Sequence, residues 1–399
     1  MTRTEVGLDN TSSVVGDRLA ISVVDAIRAV MGPRSVPLHE PLFIGNEWQY
    51  LKECLDSTFV SSVGGFVDRF ESELAAYTKS KYAVAFVTGT AALHIALKLA
   101  GVATDDEVLV PAITFVATAN AVTYCGAVPH FVATEGESFG IDATVLREYL
   151  KENTERRNNS CVNRNTGRRI KVLLPMHTFG HPSDIDSLLA VAHDFNLALI
   201  EDAAESIGST YRGQHTGTFG LMGILSFNGN KTISTGGGGA LLTDNKDIAT
   251  KARHLGSTAK IPHAWEYKHD DIGYNYRMPG LNAALGCAQL EQLPGILDAK
   301  RQLFDRYDKA FSSVSGVRLI REPKNCCSNY WLQTLEILTD SLEERDQILQ
   351  TTNDVGYMTR PVWIPLHQLG QFVNSPKMDL AYTEQLAQRL VNIPSSVYV

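Results

Sequence analysis

Between Tyr82 and Leu242 short apolar runs alternate with helix-like patterns: AVAFV, EVLVPA, VPHFV, KVLLPM, LALIED and GILSF. Such continuous runs, separated by helices, predict a mainly parallel, buried sheet with helices on both faces. Ligands of such sheets sit at the carboxyl ends of the strands. After Gln289 the pattern changes to one long helix, EQLPGILDAKRQLFDRYDKAF, and then to short strands and helices. The expected fold class is α/β, with a large domain over residues 37–290 and a smaller C-terminal α+β domain over residues 291–399. Ahead of them lies an extension, residues 1–36, in which Leu19, Val23, Ile27 and Val30 recur at helical spacing. That spacing predicts a short helix packed on the body or on a partner subunit. One stretch interrupts the alternation: residues 151–171, KENTERRNNSCVNRNTGRRIK, are polar, carry a Thr-Gly turn signal and read as a solvated loop.

A chain of 399 residues with 44% apolar content can bury a large core. Its 36 basic and 44 acidic residues leave a net charge of −8. No overall basic field therefore recruits nucleic acid or an anionic membrane, and an anionic substrate must be held by local groups. The six cysteines (Cys54, Cys125, Cys161, Cys287, Cys326, Cys327) form no Cys-x-x-Cys pair and have no histidine at zinc-ligand spacing. They predict reduced thiols in a cytoplasmic protein without a metal site. The N-terminal MTRTEVGLDNTSSVVGDR is polar where a signal peptide is apolar. The following LAISVVDAIRAVM is too short to span a membrane and carries Asp25 and Arg28.

The chemistry concentrates in LALIEDAAESIGSTYRGQHTGTFGLMGILSFNGNKTISTGGGGALL, residues 197–242. Asp202 closes an apolar strand, where a buried carboxylate needs a partner. Lys231 precedes a glycine run, and glycines let a backbone approach a bound group closely. An acid and an amine so placed suit a pyridine cofactor, whose ring nitrogen a carboxylate keeps protonated and whose aldehyde a lysine holds as a Schiff base. The predicted cofactor is pyridoxal 5'-phosphate (PLP), held by Lys231 as an internal aldimine. Thr88, Gly89, Thr90 and Ala91 end the run AVAFV and open a helix, a junction whose free N–H groups and dipole bind phosphate. Phe115, His177 and Ser226 also fall at or just after the end of a run. The glycine run lacks the GxGxxG spacing of a dinucleotide loop. Glu201 points to the opposite face from Asp202 if the strand alternates, and it is not a candidate.

EDAAES followed by SFNGNKTISTGGGGA resembles the sugar-nucleotide aminotransferases of the DegT/DnrJ/EryC1/StrS family, from roughly Pro37 to the C-terminus. The resemblance implies PLP-dependent transferase fold type I, the aspartate-aminotransferase-like fold. Within the family, HEPLFIGNEWQYLKECLDSTFVSSVGGFVDRFE and TGRRIKVLLPMHTFGHPSDID are most similar to enzymes that aminate a 4-keto sugar on the legionaminic-acid and bacillosamine routes. It also implies roles for particular residues. Ser226 would bond the cofactor phosphate, Phe115 would stack on the ring, and His177, or less readily His181, would sit at its edge. Glu205 stands where many relatives carry Gln near the ring oxygen. Asn275 would cross a dimer interface to the partner's phosphate, supported by Arg277, so that a homodimer shares its active sites. His367 would line the sugar pocket, with Arg277 as a second substrate contact. Arg164, Arg168 and Arg169 could reach the nucleotide diphosphate.

The implied reaction moves an amino group from L-glutamate to C4 of a nucleotide-linked 4-keto-6-deoxy sugar, through pyridoxamine phosphate. The expected acceptor is UDP-2-acetamido-2,6-dideoxy-hexos-4-ulose, with GDP- or dTDP-linked sugars as alternatives. Dehydratase relatives that use pyridoxamine phosphate place His where Lys231 stands. Regulatory relatives add a DNA-binding module, for which the extension is too short.

Overall fold

The computed structural model describes residues 11–339 and 341–397, with side chains from residue 18 onward. Three helices come first: α1 (Thr11–Met31), α2 (Glu47–Ser57) and α3 (Gly65–Thr78). Strands and helices then alternate through β1 (Tyr82–Phe86), α4 (Gly89–Leu99), β2 (Glu107–Pro111), α5 (Val116–Tyr124), β3 (Val128–Val132) and α6 (Ala143–Asn153). A hairpin of β4 (Thr154–Arg157) and β5 (Ser160–Asn163) precedes β6 (Arg169–Leu173), α7 (Ile185–Asp194) and β7 (Ala198–Asp202). A short hairpin, β8 (Thr210–Tyr211) and β9 (Gln214–His215), leads to β10 (Met222–Ser226), β11 (Gly239–Thr243) and α8 (Lys246–Gly256). The remainder comprises α9 (Gly280–Phe311), β12 (Val317–Leu319), β13 (Cys326–Cys327), β14 (Gln333–Ile337), α10 (Leu342–Asp354), β15 (Arg360–Pro361), α11 (Ala381–Arg389) and β16 (Leu390–Ile393).

The main sheet runs β1-β11-β10-β7-β6-β2-β3. The ladders from β10 through β7, β6 and β2 to β3 are parallel, and β11 is antiparallel to both its neighbours. The six apolar runs of the sequence correspond to β1, β2, β3, β6, β7 and β10. Their continuous apolarity reflects burial on both faces. Ala83, Ala85 and Leu225 pack with Phe70, Leu74 and Cys287 on one side, while Val84, Phe86 and Ile224 pack with Ala92, Ile95 and Ala252 on the other. Each fully buried Leu, Ile or Phe of this kind contributes about 1.5–3 kcal/mol. A second, wholly antiparallel sheet, β12-β14-β16-β15, forms the C-terminal α+β layer.

Three expectations need correcting. The boundary near residue 290 falls inside α9, which begins at Gly280 and runs unbroken for 32 residues. The helix of the extension is not short: α1 spans 21 residues. Its Val23 and Ile27 are fully buried, in one core with Phe311, Val317 and Ile348, so it packs on the body of this chain. Residues 151–171 are not a solvated loop but the end of α6, a hairpin and the start of β6, with β5 pairing antiparallel to β6. The polar side chains there have an internal task. Asn163 and Thr166 donate to the fully buried Glu107 carboxylate, at 2.9 and 2.6 Å, alongside His130 at 2.8 Å. Among the described residues no helix is long and apolar enough to cross a membrane.

Candidate active site

The carboxyl ends of β1 and β10 meet the start of β11, where Phe86 and Ser226 are both register partners of Gly239. Just beyond β1, Thr88 caps α4, its hydroxyl accepting the Ala91 N–H at 3.0 Å. The first-turn N–H groups of Gly89 and Thr90 have no acceptor within the helix, and both residues line a cavity of about 200 Å³ together with Ser226. The cradle leaves no room for further side chains. A Cβ on Gly239 would lie 2.4 Å from the Gly89 nitrogen, and one on Gly89 would lie 3.0 Å from Ser226 Cβ. A helix N-terminus with a hydroxyl beside it is an anion site.

Asp202 ends β7 and is 3% exposed. Its Oδ2 accepts the Thr118 hydroxyl at 2.7 Å and its Oδ1 the Ala204 N–H at 3.2 Å. Burial pushes its pKa up, and these hydrogen bonds, with the Lys231 charge, oppose the rise. Lys231 lies in the loop after β10, its Nζ 3.1 Å from Glu205 Oε1 and 4.0 Å from the Trp331 ring centroid. The Trp331 indole N–H donates to the carbonyl of Asn230, one residue before the lysine, at 2.7 Å. Glu205 is fully enclosed; burial lifts its pKa to about 7 against the pull of Lys231 and of the Phe179 N–H. Phe115 precedes α5, lines the cavity with its side chain about half exposed, and leans on Trp363 at 6.3 Å between ring centroids.

Thr88, Gly89, Thr90, Phe115, Asp202, Glu205, Ser226 and Lys231 thus come together around one cavity. Ala91 does not line it, because its N–H is spent on the Thr88 cap. Thr118, Met176, Asn228 and Trp331 join the site without having been anticipated. Thr118 had a usable signal: it lies three residues beyond Phe115, on the same face of α5. Trp331 had none, since residues distant in sequence hold its segment, with Asn329 Nδ2 donating to the Glu205 and Ile207 carbonyls at 2.9 Å each.

Other expected residues lie elsewhere. His177 is fully buried and does not line the cavity; its Nδ1 accepts the Ser183 N–H at 3.1 Å, so Nε2 carries the proton and donates to Glu201 at 3.1 Å. Glu201 does alternate away from Asp202, and there it accepts the N–H groups of Gly217, Phe219 and Gly220. Burial pushes Glu201 up, but His177 and those N–H groups outweigh it and hold the carboxyl below its ordinary value. His181 is enclosed edge-on against Tyr330, and burial drives its pKa down to about 3. Arg277 is not a pocket residue, because its guanidinium bonds Glu71 at 2.7 Å and the Ala85 carbonyl at 3.2 Å. His367 is buried near Phe131 with Nε2 on Glu384 at 2.7 Å, and it too is outside the cavity. Arg169 pairs with Asp106 and Arg164 with the Thr154 carbonyl, at the amino-terminal end of the strands and so opposite the cavity. Asn275 is exposed on the protomer surface.

An anion cradle, a buried carboxylate, an enclosed amine and an aromatic ring at the mouth fit pyridoxal phosphate part by part, on a sheet whose ladders from β10 to β3 are parallel. Fold and site define a PLP-dependent transferase of fold type I. The chain belongs to the DegT/DnrJ/EryC1/StrS aminotransferase family, whose model matches residues 43–399; it is a PLP-dependent sugar aminotransferase. It is 36% identical over 361 residues to the GDP-perosamine synthase of Escherichia coli O157:H7, covering 90% of this chain and 93% of that one. Among solved structures, the aminotransferase TlmJ of Streptoalloteichus hindustanus superposes with a TM-score of 0.81 at 25% identity, over 91% of this chain and 94% of its own. Spr1654 of Streptococcus pneumoniae, in its PMP form, superposes with a TM-score of 0.80 at 25% identity, over 91% and 93%.

Proposed function

We propose that this enzyme carries an amino group from L-glutamate to C4 of a GDP-linked 4-keto-6-deoxy sugar, and that it works as a cytoplasmic homodimer. The observation that carries the transfer is Lys231 and Asp202 lining one cavity, an amine whose side chain is 12% exposed and a carboxylate 3% exposed. When bound, PLP supplies an aldehyde that joins to amines and a protonated pyridine ring that withdraws electrons. The chain's own groups do the rest. Gly89, Thr90 and Ser226 hold the phosphate, and Phe115 covers a ring face. Asp202, steadied by Thr118 and Ala204, keeps the proton on the pyridine nitrogen. Lys231, once its amine is free, would take the proton from the substrate carbon that bears the nitrogen and deliver it to the cofactor's former aldehyde carbon, on the far side of that nitrogen. The amine has one parking place, so 2-oxoglutarate leaves before the keto sugar enters, and kinetics are ping-pong.

The GDP assignment replaces the UDP-linked acceptor expected from the sequence. It rests on the name of the Escherichia coli relative, GDP-perosamine synthase, which puts GDP and an amino sugar in that enzyme's product. The homodimer is supported by large apolar side chains left exposed on the protomer, Phe43, Ile44, Trp48, Phe59 and Val63 on one segment and Trp265, Tyr267 and Ile272 on another. Exposed Asn275 adjoins the second of these segments. The test is the absorbance of the purified enzyme before and after L-glutamate alone, followed by GDP-, UDP- and dTDP-linked 4-keto sugars in turn. The lysine-linked band should give way to that of the cofactor's amine form, and the GDP-linked sugar should restore it fastest. A band indifferent to L-glutamate would overturn the donor, and faster restoration by a UDP- or dTDP-linked sugar would overturn the acceptor.

A further inference from the structure

We propose that Glu205 is a further catalytic residue: its carboxylate exchanges a proton with the Lys231 amine whenever that amine is free, so the proton carrier is a two-residue couple. The inference rests on the reading above, which makes Lys231 the proton carrier. In the step itself the N–H bond of the Lys231 ammonium breaks, its electron pair stays on nitrogen, and an O–H bond forms at Glu205 Oε1. The reverse restores the ion pair, and nothing is oxidised or reduced.

The geometry is built for such a couple. Glu205 Oε1 stands 3.1 Å from Lys231 Nζ, and the two side chains are 1% and 12% exposed, so water does not readily mediate between them. The other oxygen, Oε2, is fixed by the Phe179 N–H at 2.9 Å. Phe179 is a fully buried, non-glycine residue at φ 58°. A left-handed backbone costs such a residue on the order of 1–3 kcal/mol, and the strain is retained where it aims an N–H at this carboxylate. The Glu205 backbone is held as well, its carbonyl accepting Asn329 Nδ2 at 2.9 Å. The carboxylate can therefore neither rotate away nor find water.

The charged groups around the couple are few. Lys231 faces Glu205 from the loop after β10, and Asp202 opposes it with like charge from the end of β7. His39 faces Lys231 from the segment before α2 and is kept neutral chiefly by burial. The segment after β13 presents an amide, Asn329, and an indole, Trp331, neither of them charged. Burial brings Glu205 to about 7 even against the Lys231 charge, so its carboxyl changes protonation state near neutral pH. A proton carrier matched to its working pH transfers most efficiently.

Glu205→Gln keeps the shape and the acceptor for Phe179 while removing the titrating oxygen. Two readouts are compared in wild-type and variant enzyme: absorbance against pH after reconstitution with pyridoxamine phosphate, which leaves the Lys231 amine free, and the pH profile of the half-reaction of the PLP form with L-glutamate by rapid mixing. The wild type should show a spectral transition and a rate limb near neutral pH. The variant should lose both and react about 10-fold or more slowly at pH 7. Identical pH profiles in the two proteins would overturn the couple while leaving the aminotransferase reading intact. A spectral transition that vanishes in the variant, in an enzyme indifferent to L-glutamate, would instead sink the donor and leave the couple. If Glu205→Gln does not hold cofactor, Glu205→Asp takes its place. Its retracted carboxylate should displace the limb and slow the step, and a wild-type profile would overturn the proposal.

Discussion

Thr118→Val exchanges a hydroxyl for a methyl group and keeps the branched shape of the side chain. What it removes is the 2.7 Å hydrogen bond to Asp202 Oδ2, and with it the 2.9 Å contact to the Thr114 hydroxyl. A hydrogen bond to an ionised group contributes about 1.5–3 kcal/mol. One pKa unit corresponds to about 1.4 kcal/mol, so the proton affinity of Asp202 should rise by roughly one to two further units. Burial has already raised it, so the change falls on a carboxylate with little reserve. A pyridine nitrogen keeps its proton only beside an ionised Asp202. Cofactor affinity should therefore weaken by roughly 10–100-fold, and the deficit should widen as pH falls, because more of the variant's Asp202 becomes protonated. The assay is titration of apoenzyme with PLP, followed by absorbance, at pH 8 and at pH 6. Dissociation constants within twofold of wild type at both values would refute the reasoning and show that Asp202 is kept ionised without Thr118.

Gly239→Ala should yield a folded protein that purifies without cofactor, since the new Cβ would sit 2.4 Å from the Gly89 nitrogen and displace the start of α4; bound PLP measured by absorbance against circular dichroism separates the two effects. Glu71→Leu strips Arg277, Arg253 and the Ala85 N–H of a shared buried acceptor, so it should cost about 3–5 kcal/mol; a denaturation midpoint unchanged from wild type would show that these arginines do not depend on Glu71. Lys231→Ala and Asn275→Ala subunits, each inactive, should recover about a quarter of wild-type activity when mixed and reassembled, because a mixed dimer keeps one intact site if Asn275 serves the partner's cofactor; no recovery would place Asn275 in the site of its own subunit, and an active Asn275→Ala parent would place it outside the site.

The fold was legible because the sheet announces itself. Strands buried on both faces are apolar at every position, and the six runs need no tertiary knowledge to be recognised. Among the strands that went unseen was β11. It opens with Gly239, where β1 and α4 press too close for any side chain, so function rather than strand propensity dictates its first residue. The hairpin after α6 was hidden for the opposite reason. Asn163 and Thr166 are polar because they must satisfy Glu107, a carboxylate buried at the start of β2, and polarity read without that partner looks like solvent exposure.

The same distinction separates the site residues that were readable from those that were not. Thr88, Asp202 and Ser226 lie at or just beyond strand ends and Lys231 in the loop that follows β10, and in a parallel sheet strand ends converge whatever the details of packing. His177 and His367 resemble site residues by position in the chain, yet each ring is committed to a carboxylate, Glu201 or Glu384, that only the folded structure brings near. Trp331 and Glu205 show the reverse case. One comes from the C-terminal part of the chain and the other from the turn after β7, and both meet at a single amine. An apolar or anionic side chain reveals its task only through what it touches, and for these two that contact spans the sequence from Lys231 to Trp331, or lies within a burial that turns an ordinary glutamate into a group titrating at about 7.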